Sequence, residues 1–228
     1  MRLSSANDSH GPERYGPERS EHQDGAWQAL LREGTGPVQE SFLDLVRNTR
    51  DYVGYSPDVV WGNLQTPAYA TAMLRLVVDF HEIPDDIEAG VAARTARAAY
   101  IGRDGRTFHV LLGEQALLTN IGGAGVMREQ LEHLAGATVL PGLTLGVIPA
   151  RARRHVHPGD GFALFDDRRA EVEGFRGAET ITDPARLAVF RKAFGLLRRS
   201  AVYGAEARDL IAQAAEAFDR DGYGPPDS

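Results

Sequence analysis

Apolar positions along this chain repeat with two periods, and the change between them divides it. Val38, Phe42, Leu45, Val46, Thr49 and Val53 fall at near-helical spacing and predict one helix over 38–53 with a single apolar stripe. A short helix over 26–33, AWQALLRE, precedes it; Gly34 ends that helix, and Gly34-Thr-Gly-Pro37 reads as a break. Tyr69, Met73, Leu76, Val77 and Phe80 recur at i, i+4, i+7, i+8 and i+11, which predicts a helix to about residue 80. Thr66 is its N-cap, and Pro67 takes the first position, where a missing N–H costs nothing. Pro84-Asp-Asp opens another helix, to about 101, with acids in the first turn where the dipole favours them.

After Asp104-Gly105, a hairpin-like turn signal, the pattern changes. TFHVLLG (107–113), LTLGVIP (143–149), GFALFD (161–166) and AEVEGF (170–175) are short, β-rich runs and predict four strands. A turn at Asp166-Asp167 joins the last two as an antiparallel pair. Residues 114–119 form a helical turn, and 124–136 a helix with Met127, Leu131 and Leu134 on one face. Asp183-Pro184 opens a long helix burying Leu187, Phe190, Phe194 and Leu197, and a last helix over 205–219 buries Leu210, Ile211, Ala214 and Phe218. The expected fold class is α+β: a small, largely antiparallel sheet of about four strands covered by helices, with a helical N-terminal part and two long C-terminal helices.

Residues 1–25, with the repeat GPERYGPERSE, hold too few apolar groups to offset the entropy of ordering and read as a disordered tail. Residues 26–219 then form one ligand- or partner-binding domain, and 220–228 a loose tail. The absence of cysteine excludes disulfides, thiolate metal sites and a cysteine nucleophile. It also fits a reducing compartment, so a cytoplasmic location is expected. No apolar run is long enough to span a membrane, and no apolar leader opens the chain. The formal net charge of −7 argues against a surface that grips DNA directly. The basic groups Arg151, Arg153, Arg154 and Arg198, Arg199 read as a solvated loop and a solvated helix end, or as phosphate contacts.

Candidate chemistry concentrates before the third helix. Trp61, Asn63 and Gln65 stand within DVVWGNLQTPAYATAML, with Tyr69 just beyond. Gln65 can satisfy backbone groups in a tight bend. An aromatic face beside one or two amides also suits an apolar ligand with a polar handle. Arg94 and Arg97, at i and i+3, can bind a carboxylate or phosphate, or pair with Glu88 and the acids near Asp85. Glu114 follows Gly113 at a strand-to-helix switch, where it caps the turn or points into a pocket between sheet and helices. His109, in the strand ahead of it, is either an acid/base partner or a strand histidine at the sheet surface. His155, His157 and Asp160 carry metal-ligand chemistry, but Pro158 and Gly159 make the segment loop, and no metal is expected. Gly122-Gly-Ala-Gly125 follows no clear strand, and there is neither a Gly-x-Ser-x-Gly elbow nor a phosphate loop.

Several of these stretches, in order, resemble the C-terminal domain of actinobacterial XRE-type, antitoxin-like transcriptional regulators. The matching pieces are Trp27, Gln39 to Phe42, Trp61-Gly-Asn-Leu-Gln-Thr-Pro-Ala-Tyr-Ala70 and Arg94-Thr-Ala-Arg97. They continue with Glu114-Gln-Ala-Leu117, Ile121-Gly-Gly-Ala-Gly-Val-Met-Arg-Glu-Gln-Leu131, Val147-Ile-Pro149 and His155-Val-His-Pro-Gly-Asp-Gly-Phe162. The resemblance covers roughly residues 27–215. Departures include Trp61-Gly-Asn-Leu64 where the family has Pro-Gly-Leu-Leu, and Ala98, Thr119 and Ala207 at three polar positions. Family members usually carry an N-terminal helix-turn-helix domain; here 26 residues precede Trp27, so the expectation is the sensor-like domain without its DNA reader. The resemblance implies a stand-alone sensor of a small molecule, or a dock for a small partner protein; the Trp61 stretch suits a small hydrophobic molecule with a polar handle. No cofactor and no direct contact with nucleic acid or membrane are expected. The alternative is a repurposed cofactor-independent enzyme, such as a cyclase of secondary metabolism, that uses the same pocket to position a reactive intermediate.

Overall fold

A computed structural model describes residues 21–220, residue 176 excepted. Two helices come first, α1 (Glu21–Glu33) and α2 (Thr35–Arg47), separated only by Gly34. Gly34 has φ 130°, which favours glycine, so one residue suffices to turn the chain. Thr35, Gly36 and Pro37 therefore form the first turn of α2 rather than a break. The donors of that turn find their acceptor far along the chain. Asp86 accepts from Thr35 N at 2.6 Å, Thr35 Oγ1 at 2.8 Å and Gly36 N at 2.7 Å. A carboxylate at a helix N-terminus meets both orphan N–H groups and the positive end of the dipole.

The helical spacing does not run on to Val53. The Asn48 and Thr49 amides close the helix onto Asp44, Leu45 and Val46. Asp51–Ser56 then forms β1, and Tyr52, Val53 and Tyr55 are strand-favouring residues. From there the chain runs through α3 (Pro67–His81) and α4 (Ile87–Ala96) to β2 (Thr107–Gly113). It continues through α5 (Gln115–Leu118) and α6 (Ala124–Ala137) to β3 (Leu143–Ile148). β1, β2 and β3 pair in parallel, each joined to the next by a helical crossover. A meander follows: β4 (Phe162–Phe165), β5 (Arg169–Gly174) and β6 (Gly177–Ile181). β4 lies antiparallel on the free side of β1. Asp166 and Asp167, at φ 50° and 55°, make the tight β4–β5 turn, and Asp166 also accepts from Arg50 N and Asp51 N. α7 (Pro184–Leu197), the two-residue β7 (Val202–Tyr203) beside β3, and α8 (Gly204–Arg220) complete the order.

The fold is α+β, but its sheet differs from expectation. It has seven strands in the order β6-β5-β4-β1-β2-β3-β7, and it is mixed, with a parallel centre. Three strands were not foreseen. β1 was read as the end of a helix; β6, GAETI, is short and half polar; β7 has two residues. The expected tails at 1–25 and 220–228 lie outside the described residues, except that 21–25 begin α1 and Arg220 ends α8. Among the described residues no helix is long and apolar enough to cross a membrane.

Each sheet face has its own core. Tyr52, Phe108, Val110, Leu145 and Phe165 pack with residues of α2, α3, α6 and α8. On the opposite face Tyr55, Leu111, Ile148 and Leu164 pack against Leu187, Phe194 and Leu197 around α7. The contact that seats α2 is the most exposed to a single change. Asp86→Ala removes the acceptor of three donors and is expected to cost about 2 kcal/mol, read as a lower urea midpoint at unchanged slope. An unchanged midpoint would show that the contact carries no weight.

Candidate functional site

β1 is where the sheet order reverses: the crossovers leave it toward β2, and the meander returns to its other side. Such switch points open a crevice beyond the strands' carboxyl ends. Here the segment 57–65 covers part of that crevice. Ser56 Oγ donates to Val59 O at 2.8 Å, and Gln65 Nε2 to Val60 O at 2.7 Å. Gln130 of α6, with 0% exposure, accepts from Thr66 N at 2.7 Å and donates to Leu64 O at 2.8 Å. Thr66 Oγ1 accepts from Tyr69 N at 3.3 Å, as an N-cap should.

Beneath the segment lies a cavity of about 410 Å³, bounded by β1, β4, β5, α2, α3 and α4. Phe42, Tyr52, Trp61, Met73, Val77 and Phe165 give it apolar walls. Trp61 donates from Nε1 to the Tyr52 hydroxyl at 2.9 Å, with ring centroids 5.2 Å apart. Burial pushes the Tyr52 phenol well above its ordinary range, so it stays protonated. Asp58 and Glu173 are exposed lining residues and stand at the rim, whereas Glu171 is buried and held by Arg169 and Thr180.

The polar end of the cavity is cationic. Arg94 donates from Nε to Gln39 Oε1 at 2.9 Å and from Nη1 to Gln65 Oε1 at 2.7 Å. Arg97, 6% exposed, donates from Nη2 to the same Gln39 oxygen, and its guanidinium lies 5.6 Å from the centre of the Phe42 ring. Neither arginine forms an ion pair among the described residues. Asp85 is taken by Arg75 at 2.6 Å and Asp86 by the start of α2, so the alternative of helix-surface salt bridges is not realised. Burial, reinforced by neighbouring Arg94 and opposed by Glu173, pushes the Arg97 guanidinium down to about 9; burial lowers Arg94 too. Arg97 Nε and Asn63 Nδ2, buried donors at this end, have no acceptor among the described residues. Close packing of α4 on α2 brings these groups together. A Cβ on Gly90 would press on Thr35 Oγ1 and lie 2.8 Å from Leu74 Cδ1, so only glycine lets the two helices approach this far.

The structure thus gathers Trp61, Asn63, Gln65, Arg94 and Arg97 around one cavity. Tyr69 is not among the lining residues; it is fully buried behind the segment, its hydroxyl accepting from Val60 N at 3.3 Å. Glu114 and His109 are elsewhere and do not meet. Glu114, at the carboxyl end of β2, accepts from Ala150 N at 2.5 Å, which is turn-capping chemistry. His109 lies on the opposite sheet face, 3.1 Å from the Tyr203 hydroxyl and edge-on to Phe194 at 4.9 Å. Among the described residues no cluster of His, Asp and Glu could hold a metal ion. Gln39, Tyr52 and Gly54 were not singled out as site residues from the sequence. Gln39 was visible only as part of a family pattern, and Tyr52 and Gly54 depended on seeing β1.

Residues 39–213 match the family described as a domain of unknown function, DUF5753. The chain belongs to this family. The matched span of the DUF5753 domain takes in every residue that lines the cavity. No curated protein matches the chain. Among solved structures, an archaeal chromatin protein, TrmBL2, described as showing a novel mode of DNA binding, aligns with 11% identity and a TM-score of 0.36. The alignment covers 79% of this chain and 58% of that one, and at this score it carries no argument about fold or function. The expectation that this domain makes no direct contact with nucleic acid gains no support from it.

His109 supplies a pH test. Burial first, and Arg198 second, hold its imidazole below the ordinary 6.5. The folded state then binds fewer protons here than the unfolded chain, so the contribution to stability is full above pH 6.5 and is lost as pH falls below it. The urea midpoint is expected to fall more steeply from about pH 7 to about pH 5 in the unmodified chain than in His109→Gln. Parallel profiles would refute the assignment.

Proposed function

We propose that this DUF5753 domain is a ligand-binding regulatory module of the kind found in XRE-type, antitoxin-like regulators, and that it senses a small molecule with an apolar body and a polar handle. One observation carries the reading: the cavity at the switch point of the sheet has aromatic walls at one end and buried, incompletely partnered polar groups at the other. Small-molecule sites have that composition, mostly apolar with a few convergent polar groups. At about 410 Å³ the cavity is large enough for a fused aromatic compound of up to four rings. Neither Glu114 nor His109 reaches it, so binding rather than turnover is the function put forward.

The test uses the neutral fluorophore Nile red, which brightens in apolar surroundings. It is expected to bind the full chain saturably. Trp61→Ala removes one wall and is expected to weaken binding by roughly tenfold. At Gly54 a Cβ would already lie 2.8 Å from the Tyr52 ring, so Gly54→Leu pushes side chains into the space and is expected to abolish binding. A chain that fails to bind the dye, or folded variants that bind it as tightly as the unmodified chain, would overturn the reading. Docking of a small partner protein is a second reading, supported by Phe80 and Phe175, which are 61% and 85% exposed with ring centroids 5.7 Å apart.

A further inference from the structure

The two arginines narrow the ligand class. Arg97 is buried and Arg94 half-buried, and the two cations stand side by side on one neutral amide oxygen, Gln39 Oε1. Buried charges are normally paired, and like charges brought together in a poorly screened interior repel strongly. Among the described residues nothing neutralises them at contact distance. Glu173 acts on both arginines only from the rim, and Glu171 is engaged with Arg169 and Thr180. Arg97 Nε and Asn63 Nδ2 are left without acceptors, although both residues are more than nine-tenths buried and line the cavity. Native interiors rarely leave such donors bare without a reason.

We infer that the cavity takes a carboxylic acid in its monoanionic form, the carboxylate seated on Arg94 and Arg97 beside Asn63 and the apolar body against Trp61, Tyr52 and Phe42. This rests on the ligand-binding reading above and gives its polar handle an identity. A guanidinium presents parallel N–H groups in a planar fork that fits a carboxylate. A bound carboxylate supplies the missing counter-charge and accepts from the bare donors. The rim decides between anions. Asp58 and Glu173 carry negative charge around the opening, which a singly charged acid tolerates better than a dianionic phosphate monoester. Gln39 contributes by being neutral: it holds both guanidiniums in place and leaves their charge for the ligand.

Displacement of Nile red by three probes with one shared body tests this: naphthaleneacetic acid, its primary amide, and naphthyl phosphate. The acid is expected to displace the dye at a concentration roughly tenfold or more below that of the amide, and below that of the phosphate. Arg97→Met should erase the preference for acid over amide, read as the ratio of the two displacing concentrations so that a change in dye affinity cancels. Gln39→Glu places a carboxylate on the chain between the two guanidiniums. It should erase the preference too and raise the melting temperature, an outcome that loss of structure cannot mimic. Equal displacement by acid and amide, a phosphate stronger than the acid, or a preference that survives Gln39→Glu would each overturn the assignment. If the dye binds but the acid has no advantage, this inference alone fails; if the dye does not bind, the cavity reading fails with it.

Discussion

Asp86 holds the start of α2 with both carboxylate oxygens, and the arrangement of the cavity hangs on that contact. It is a long-range N-cap: the acceptor comes from the α3–α4 connection, some fifty residues along the chain. The bond fixes the lateral position and the height of α2 against α4. Gly36 leaves room for the carboxylate, since a Cβ there would lie 2.7 Å from Asp86 Oδ2, and Gly90 leaves room for Thr35. With the helices set in this way, Gln39 lies one turn into α2 and faces Arg94 and Arg97. The amide oxygen of Gln39 is then within reach of both guanidiniums.

The second constraint is the central strand. β1 pairs with β2 on one side and β4 on the other, so it ties the parallel half of the sheet to the antiparallel half. Its residues alternate between two environments. Tyr52 packs in the core on the cavity side, whereas Val53 and Tyr55 pack in the core that includes α7. Gly54 is what makes floor space: the Tyr52 ring lies across it where a side chain would otherwise rise. Opposite, Trp61 bonds to the Tyr52 hydroxyl, so the wall and the floor are fixed to each other rather than to solvent.

How far this could be read from sequence depends on whether a residue's role is local. Thr66, Pro67 and the helix they open are local, and the structure agrees with the reading. Trp61, Asn63, Gln65, Arg94 and Arg97 stood out in two short stretches, but the sequence left open whether the arginines pair with nearby acids; their placement around one cavity comes from tertiary structure. β1 was not legible, because Thr49 and Val53 prolong the spacing of α2 and six residues are too few for period two to override it. Losing β1 also hid the parallel pair β1–β2; the pair β2–β3 had its strands and intervening helix in view but was not read as a crossover. Gln39 and Tyr52 gain their roles only through tertiary contact. For Glu114 and His109 the sequence left two readings each, and their separation comes from tertiary structure. Sequence shows that they lie near one another, whereas the pleat sends His109 to the α7 side and the turn uses Glu114 as a cap.

Gln130 has a consequence that reaches past the cavity. Its amide grips the backbone of the covering segment at Leu64 and Thr66, yet the residue belongs to α6, in the crossover between β2 and β3. α6 in turn packs along α8, the C-terminal helix. The roof over the crevice and the far end of the chain are therefore separated by a single stiff rod. Anything that lifts the roof must either snap two buried bonds or drag that rod, and α8 is what it would drag it against.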